Sequence, residues 1–365
     1  MEKDRLEFLK RLMAVSCPSG FEEQAQEVVR QRLAGCCSEL KTDVHGNVLA
    51  GLNVAAPLRV MLAGHVDEIG LMVTHIDDSG YLFFQGIGGF DVAVLVGQRV
   101  LVHGAAGPVR GVIGRKPIHL LTDEERKAPL KMEDLFIDIG ARKGKEARKV
   151  VRVSDPVTLD AEWKDLLNDL VATRGFDDRI GSFVVVETLR ELAARKGKLR
   201  VAVWSVSTVQ EEIGLRGAQT SAYGVDPHVG IAVDVGFTSD YPGIDKKKAG
   251  ECKMGQGPII ARGPNVNPVV FSGLEHVAKV RKIPHQFQAE PRGTGTDANA
   301  MQLNRAGVAT GLVSVPNRYM HSPNEVVSLK DVDNCIRLLT EYILSLGPTD
   351  TFIPCMPRAA KGRAT

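Results

Sequence analysis

The segment from Trp204 to Ala218, WSVSTVQEEIGLRGA, constrains the fold of this chain most, because a run rich in β-branched residues stops abruptly at Glu211 and Glu212. Such runs favour a buried strand, and Gly214 indicates a turn directly after it. In open α/β sheets, ligands bind beyond the carboxyl ends of the strands. Successive strand side chains point to opposite faces, so two adjacent glutamates reach one site only from a turn. The segment therefore predicts a strand that delivers two carboxylates to a cleft.

Four other segments of the chain bring a histidine or an aspartate to the end of a strand or the start of a helix. They supply His65 with Asp67, Asp177 with Asp178, Asp234, and His321. Together with the glutamate pair, these segments provide the two histidines and three carboxylates that bind a pair of divalent metal ions. Their repetition along the chain favours a metal site.

Each candidate residue, taken alone, also has a structural interpretation. The H-x-D pair at His65 occurs in ordinary surface turns, and Asp177 and Asp178 suit a helix N-cap. Two adjacent glutamates, in contrast, repel each other unless a cation lies nearby. An unpaired Asp234 at the end of an apolar strand is also unfavourable. A site with two metals removes both difficulties, and of the two aspartates we favour Asp177 as the ligand because it precedes the helix.

Helical and strand patterns alternate downstream of Asp177, which predicts an α/β fold with a mostly parallel sheet covered by helices. Between Ile69 and Glu162 the pattern changes to short alternating apolar segments and glycine-rich turns, which is typical of a small all-β module. Candidate metal residues lie on both sides of this module, so we expect an insertion. The predicted organisation is a catalytic domain at 1–68 and 163–347, an inserted domain at 69–162 and a flexible tail at 348–365.

Three shorter motifs have more local interpretations. Ser19 and Glu22 have the spacing of a helix capping box. The turn Gly86–Gly89 lacks the following helix that a dinucleotide site needs. The glycine-rich segment Arg292–Asp297 lacks the lysine of a phosphate loop, so a backbone wall beside the substrate is the better interpretation.

Charge and cysteine content exclude several classes of protein. The 365 residues include 46 basic and 44 acidic side chains, a net charge of +2 that gives no reason to expect nucleic acid as a partner. No apolar run reaches about 18 residues, so we expect no membrane span. The six cysteines show no CxxC spacing, which favours a reduced, cytoplasmic setting.

Six motifs follow one another in a specific order. They are GHVDEIG at Gly64–Gly70, FDDRIG at Phe176–Gly181, VQEEIGLRGA at Val209–Ala218, AVDVG at Ala232–Gly236, GTGTDA at Gly293–Ala298 and HSPNEVV at His321–Val327. In this order, from about Leu6 to Leu346, the chain resembles the M42 family of metallo-aminopeptidases, the TET or FrvX-like glutamyl aminopeptidase group. The resemblance implies a peptidase with two zinc or cobalt ions that removes N-terminal residues from peptides. It also implies an inserted barrel or PDZ-like domain that builds dimers, which assemble into a tetrahedral dodecamer.

The resemblance gives each candidate residue a role. The metal ligands become His65, Asp177, Glu212, Asp234 and His321, with Asp177 bridging the two ions. Glu211 becomes the general base, and Asp67 orients His65 from behind. Gly175 stands where alanine is expected, a departure that leaves the ligands untouched.

Two other functions remain open from the sequence. A carboxypeptidase or deacylase would use the same two-metal chemistry on another amide, and a scaffold protein would keep the assembly without catalysis. The intact Glu211 and five ligands argue against the scaffold. A glycosidase is disfavoured because adjacent glutamates cannot flank a sugar at the separation of about 5 to 9 Å that its chemistry needs.

Overall fold

A computed structural model describes residues 1–354. The N-terminal part consists of helices α1 (Lys3–Ala14) and α2 (Glu23–Leu33) and strands β1 (Glu39–Thr42), β2 (Val48–Leu52) and β3 (Arg59–His65). Helix α1 buries the apolar residues that recur at helical spacing along one face, Phe8, Leu9, Leu12 and Met13. Strand β3 is buried from its second residue to its last, and it ends at His65.

The next segment forms a closed β-barrel. Its elements are β4 (Gly70–Ile76), β5 (Leu82–Ile87), β6 (Arg99–Gly104), β7 (Gly107–Gly114), α3 (Asp123–Lys127), β8 (Phe136–Asp138), α4 (Gly144–Ala147) and β9 (Pro156–Leu159). All strand pairs are antiparallel, in the order β4-β5-β8-β7-β6-β9. The barrel has an apolar core of its own, which includes Leu71, Phe84, Val100 and Ile137. The predicted small all-β module is therefore a barrel.

The rest of the described chain alternates between strands and helices. Its elements are β10 (Lys164–Asp165), β11 (Leu170–Thr173), α5 (Phe176–Ala194), β12 (Ala202–Thr208), α6 (Arg216–Val225), β13 (Val229–Phe237), α7 (Lys246–Ala249), β14 (Ile259–Arg262), α8 (Pro268–Val280), β15 (Gln286–Ala289), α9 (Asp297–Gln302), β16 (Ala309–Arg318), β17 (Glu325–Ser328) and α10 (Leu329–Ser345). Helix α5 is buried along most of its length and packs on β3, β12 and β13.

Within residues 1–354, eleven strands form one sheet in the order β1-β2-β12-β3-β13-β16-β17-β11-β10, with β14 paired to β16 and β15 to β14. The central strands β12, β3, β13 and β16 are parallel to one another, and the flanking strands add antiparallel pairs. Parallel pairing aligns His65, the last residue of β3, with Thr208, the last residue of β12. The predicted fold class is confirmed, and the parallel centre brings the predicted strand ends to one edge.

A buried ion cluster joins the two places where the chain enters and leaves the barrel. The Glu68 carboxylate contacts the guanidinium groups of Arg174 and Arg179, with 3.1 Å between Glu68 Oε2 and Arg179 Nη2. Burial alone would raise the pKa of Glu68, but the two arginines lower it. Since Arg179 also donates to the carbonyl oxygen of Met13, the cluster fixes the loop after β3 against α1 and the start of α5.

Two features concern the periphery of the molecule. No helix in residues 1–354 is both long and apolar enough to cross a membrane. The predicted flexible tail begins at residue 348, and from residue 355 onward that prediction lies outside the described residues.

Candidate metal centre

A cleft of about 270 Å³ opens at the carboxyl edge of the parallel strands. Its walls include His65, Asp177, Glu211, Glu212, Asp234 and His321, which are the five predicted ligands and the predicted base. Asp67 lies behind them and is completely buried. The structure thus brings together every site residue that the sequence singled out.

Asp177 occupies the centre of this group. Its Oδ1 atom lies 3.3 Å from Nε2 of His65, and its Oδ2 atom lies 3.2 Å from Nε2 of His321. The backbone at Asp177 and Asp178 is not helical, although the hydrogen-bonded helix α5 begins at Phe176. This irregular first turn points one carboxylate at both histidines, the arrangement that a ligand shared by two ions requires.

The glutamate pair lies in the turn after β12, as the alternation of strand side chains predicts. The carboxylate of Asp67 accepts the backbone N–H groups of Glu211 and Glu212, at 3.1 and 3.2 Å. Glu211 Oε2 lies 3.6 Å from Nε2 of His65, and Glu212 Oε1 lies 3.5 Å from Nε2 of His321. The two adjacent carboxylates therefore face different histidines.

Asp67 differs in detail from the role that the sequence suggests. The His65 Nδ1 atom is 3.0 Å from the backbone carbonyl oxygen of Asp67 and 3.5 Å from its carboxylate. The carbonyl is the closer partner of the imidazole, while the carboxylate holds the glutamate turn. Asp67 therefore links the histidine at the end of β3 to the carboxylates that follow β12.

Asp178 is a metal-site candidate that the sequence analysis set aside. The side chains of His65, Asp178 and Asp234 offer ligand atoms within 4.8 Å of one another, and so do those of His65, Asp177 and Glu212. The Asp178 carboxylate already accepts the backbone N–H groups of His65, at 3.2 Å, and Gly181, at 3.0 Å. Asp178 thus supports the backbone at the end of β3 and the start of α5. Because Asp177 and Asp178 are neighbours in the chain, the sequence alone could not show which of them faces the histidines.

Glu325 is a buried carboxylate whose contribution the sequence analysis missed. One oxygen accepts the backbone N–H of Asp177 at 2.8 Å and contacts the Asn317 amide at 3.3 Å. Burial and the nearby Asp177 raise the pKa of Glu325 well above its usual value. Its only sequence signal is its place in the HSPNEVV motif, four residues after His321.

The electrostatics of the cleft show a surplus of buried acid. Burial, followed by neighbouring carboxylates, raises the pKa of Glu211 to about 9 and raises those of Glu212 and Asp234 well above their usual range. Burial would raise the pKa of Asp177 too, but hydrogen bonds from His321 and His65 lower it. No lysine or arginine lines the cleft among residues 1–354.

These carboxylates fit divalent metal ions as their missing counter-charge. The buried atoms Glu211 Oε1 and Glu212 Oε1 have no hydrogen-bond donor, and buried charge without a partner is strongly unfavourable. Imidazole nitrogen and carboxylate oxygen are ligands that zinc and similar ions prefer. The donor set and its charge therefore suit more than one divalent cation.

The predicted capping box at Ser19 and Glu22 is wrong. Helix α2 begins at Glu23 without a side-chain cap. The Ser19 hydroxyl instead donates to Asp67 at 2.6 Å, and Glu22 accepts the backbone N–H groups of Gly20 at 2.7 Å and Gln210 at 3.2 Å. Ser19 thus binds Asp67, and Glu22 reaches the backbone of Gln210, so the segment before α2 supports the glutamate turn.

Gly175 has a structural reason to replace the alanine expected from the family pattern. Its φ angle is 65°, in the left-handed region that favours glycine. A Cβ atom there would lie 2.9 Å from a carboxylate oxygen of Glu68 and closer still to the Arg179 guanidinium. The buried ion cluster occupies the space that alanine would need.

An α/β sheet with histidine and carboxylate side chains at its carboxyl edge, together with an inserted β-barrel, defines a metallopeptidase of the zinc-peptidase-like fold. Comparison with known families makes the assignment specific. The model of the M42 glutamyl aminopeptidases matches residues 46–338, and the chain belongs to this family. It is therefore an aminopeptidase that uses divalent metal.

Individual relatives extend this similarity over nearly the whole chain. The lysyl aminopeptidase of Pyrococcus furiosus is 38% identical over 347 residues, which cover 94% of this chain and 98% of the relative. A TET aminopeptidase from Thaumarchaeota archaeon SCGC AB-539-E09 matches with a TM-score of 0.90 and 37% identity, covering 94% and 97% of the two chains. The Pyrococcus horikoshii TET1 peptidase, which can assemble into a tetrahedron or a large octahedral shell, matches with a TM-score of 0.84 and 31% identity, covering 94% and 100%.

Proposed function

We propose that this aminopeptidase holds two divalent ions, zinc or cobalt, in the cleft at the carboxyl edge of the sheet. The proposed ligands are His65, Asp177, Glu212, Asp234 and His321, with Asp177 shared between the ions. The observation that carries the proposal is the position of Asp177, whose two oxygens each face a different histidine at 3.3 and 3.2 Å. Peptides with a free N-terminus are the proposed substrates.

When bound, the two ions supply Lewis acidity that polarises the scissile carbonyl and lowers the pKa of water. Glu211 takes the proton from the attacking water and passes it to the departing amine. Its Oε1 atom is buried and has no hydrogen-bond donor, so it is free to accept that proton. With cations beside it, the pKa of Glu211 would fall from its raised value toward the range in which a general base works.

Asp67 acts as a positioning residue in this proposal. Its carboxylate fixes the backbone of Glu211 and Glu212, and its carbonyl oxygen faces the His65 imidazole. Such outer partners hold the ring orientation and the tautomer of a ligating histidine.

We also propose that the chain forms a homo-oligomer in which dimers assemble into a tetrahedral dodecamer. Support comes from the similarity to the TET1 peptidase, together with a barrel that has its own core and interrupts the α/β domain. The cytoplasmic location remains a prediction from cysteine spacing.

Chelation of the purified protein tests the function. Dialysis against a chelator should abolish hydrolysis of aminoacyl p-nitroanilides, and added zinc or cobalt should restore it, because the buried carboxylates lose their counter-charge without metal. Substrates with a blocked N-terminus, either N-acetylated or suited to a carboxypeptidase, are the matched control and should stay intact. Full activity of metal-free protein, or cleavage of blocked substrates only, would contradict the proposal.

A further inference from the structure

His321 is the most exposed of the five proposed ligands, with 36% of its side chain accessible to solvent, whereas the other four side chains are buried. It lies in the loop 319–324 between β16 and β17. Its φ angle of 59°, like the 63° of Tyr319, is in the left-handed region. Residues with a side chain adopt this conformation only where the surrounding structure holds them. The loop therefore needs an anchor.

Asn317 and Glu325 flank this loop and meet at its base. Both are buried, and the Asn317 amide donates to Oε2 of Glu325 at 3.3 Å. The same oxygen accepts the backbone N–H of Asp177 at 2.8 Å. One carboxylate therefore joins both ends of the loop to the residue whose Oδ2 atom lies 3.2 Å from Nε2 of His321.

The opposite side of the cleft, at His65, has anchors of its own. The Asp178 carboxylate accepts the backbone N–H of His65 at 3.2 Å, and the carbonyl oxygen of Asp67 lies 3.0 Å from its Nδ1 atom. His65 also ends a buried strand that pairs with both β12 and β13. These anchors are separate from Glu325.

We infer that Glu325 is a positioning residue for the half of the metal centre that contains His321 and Glu212. It holds the His321 loop against the backbone of Asp177, and so sets the spacing between the His321 imidazole and the Asp177 oxygen that faces it. This role rests on the proposed function with two ions. It implies that the two ions depend on Glu325 unequally.

Stepwise zinc affinities of the apoprotein, measured by competition with a chromophoric chelator, test this role. Glu325→Met keeps the length of the side chain but lacks a strong acceptor for the Asp177 N–H. It should weaken one of the two binding steps by about tenfold to a hundredfold, the usual effect of losing an outer partner, and leave the other within about twofold. Glu325→Gln retains an oxygen that accepts the N–H, and both steps should stay within about threefold of the wild type.

A second background identifies which ion is affected. His321→Ala removes the ligand that Glu325 is inferred to position, and the His65 side of the centre remains. In this background, Glu325→Met should change the remaining zinc affinity by less than about twofold, because the two substitutions act on the same half of the site.

Two further variants complete the comparison. Asn317→Ala removes the amide at the base of the loop and should weaken the same binding step, so it tests the role even if Glu325→Met does not fold. Asp331→Ala is the matched control, since it removes a buried carboxylate that accepts the backbone N–H groups of Gly255 and Gly257 at 2.6 and 2.7 Å. It should lower the melting temperature and leave both zinc affinities unchanged.

The outcomes distinguish this role from the proposed function. Unchanged affinities in Glu325→Met and Asn317→Ala, or an equal loss at both binding steps, would overturn the role and leave the two-ion site intact. A loss in Glu325→Gln as large as that in Glu325→Met would also overturn it, because the hydrogen-bond acceptor would then not be the cause. A wild type that binds fewer than two zinc ions would overturn the proposed function, and this role with it.

Discussion

Asp67 shows how much of the site depends on single buried side chains. Its carboxylate accepts the Ser19 hydroxyl as well as the two backbone N–H groups of the glutamate turn. Its backbone carbonyl oxygen also faces the His65 ring. Four groups, from Ser19, from His65 and from the glutamate turn, therefore converge on Asp67. The positions of adjacent Glu211 and Glu212 follow from this anchor, which explains how neighbours in the chain obtain different tasks.

The two glutamates should respond differently to the same substitution. Glu211→Gln should keep fold and metal but lose turnover by at least about a hundredfold, since a positioned general base contributes about 10² to 10⁴. Glu212→Gln should instead weaken metal binding, because it removes a charged ligand. Metal content by mass spectrometry and kcat on the same samples distinguish the two variants. Reversed behaviour would exchange the roles assigned within the pair.

Glu22 should make stability depend on pH. Burial and the nearby Asp67 raise its pKa from the ordinary 4.5 to about 7. Between these values the folded protein holds a proton that the unfolded chain lacks, so the contribution is present below about pH 4.5 and is lost as pH rises through about 7. Glu22→Gln stays neutral, and its melting temperature relative to wild type should rise between pH 5 and pH 8.

The neighbouring glutamate gives a control for this pH effect. Glu23 is exposed, so Glu23→Gln should follow the wild type at each pH. Melting curves of the metal-loaded wild type, Glu22→Gln and Glu23→Gln, recorded at each pH, make the comparison. Parallel curves for wild type and Glu22→Gln would show that Glu22 does not titrate in this window.

At the scale of elements, the barrel contributes a turn to the metal centre. Gly88 and Gly89 follow β5, and a Cβ atom at Gly89 would lie 3.9 Å from Nδ1 of His321. A Cβ atom at Gly88 would lie 2.8 Å from Ile69 and 3.4 Å from the Cβ atom of Glu212. This is the glycine-rich turn that lacks a dinucleotide helix, and its small residues allow close approach to two proposed ligands.

Two glycines of the barrel allow the effect of this contact to be isolated. Gly88 and Gly97 have φ angles of 78° and 77°, but a Cβ atom at Gly97 meets nothing within 4 Å. Alanine at either position should cost about 1–2 kcal/mol in backbone strain. Gly88→Ala should in addition weaken metal affinity by about tenfold, because the clash with Ile69 shifts the turn that packs against Glu212. Titration of the apoproteins against a competing chelator checks this, and equal affinities in both variants would contradict it.

At the scale of the whole molecule, the closed barrel is a second structural layer beside the sheet and its helices. Its core is separate from the core of the sheet and helices. Because closed assemblies form from repeated contacts between identical surfaces, an inserted barrel with its own core offers a surface for such contacts.

Light scattering should find a large assembly. The proposed dodecamer has twelve times the chain mass of 39.5 kDa, and we expect this mass across micromolar concentrations with metal bound. A monomer over the same range would contradict the proposed assembly and leave the metal chemistry untouched. The same light-scattering measurement after chelation shows whether the mass of the assembly depends on bound metal.

The sequence alone determined the class of fold and pointed to the residues now proposed for the site. Local patterns carry this information. The apolar periodicity of a segment indicates a strand, and a glycine with a histidine or carboxylate beside it marks where that strand ends. The resemblance then ordered these residues into roles. The same local signals separated the barrel from the α/β part of the chain.

Only the tertiary structure decided which hydrogen-bond partner each side chain of the site has. Ser19 and Glu22 have the spacing of a helix cap, yet Ser19 donates to the distant Asp67 and Glu22 accepts the backbone N–H of Gln210 as well as that of Gly20. The shared position of Asp177 depends on two histidines far apart in sequence. Gln288 of β15 and Leu312 of β16 line the same cleft because β14 pairs with both strands, a contact between distant segments that no local pattern encodes.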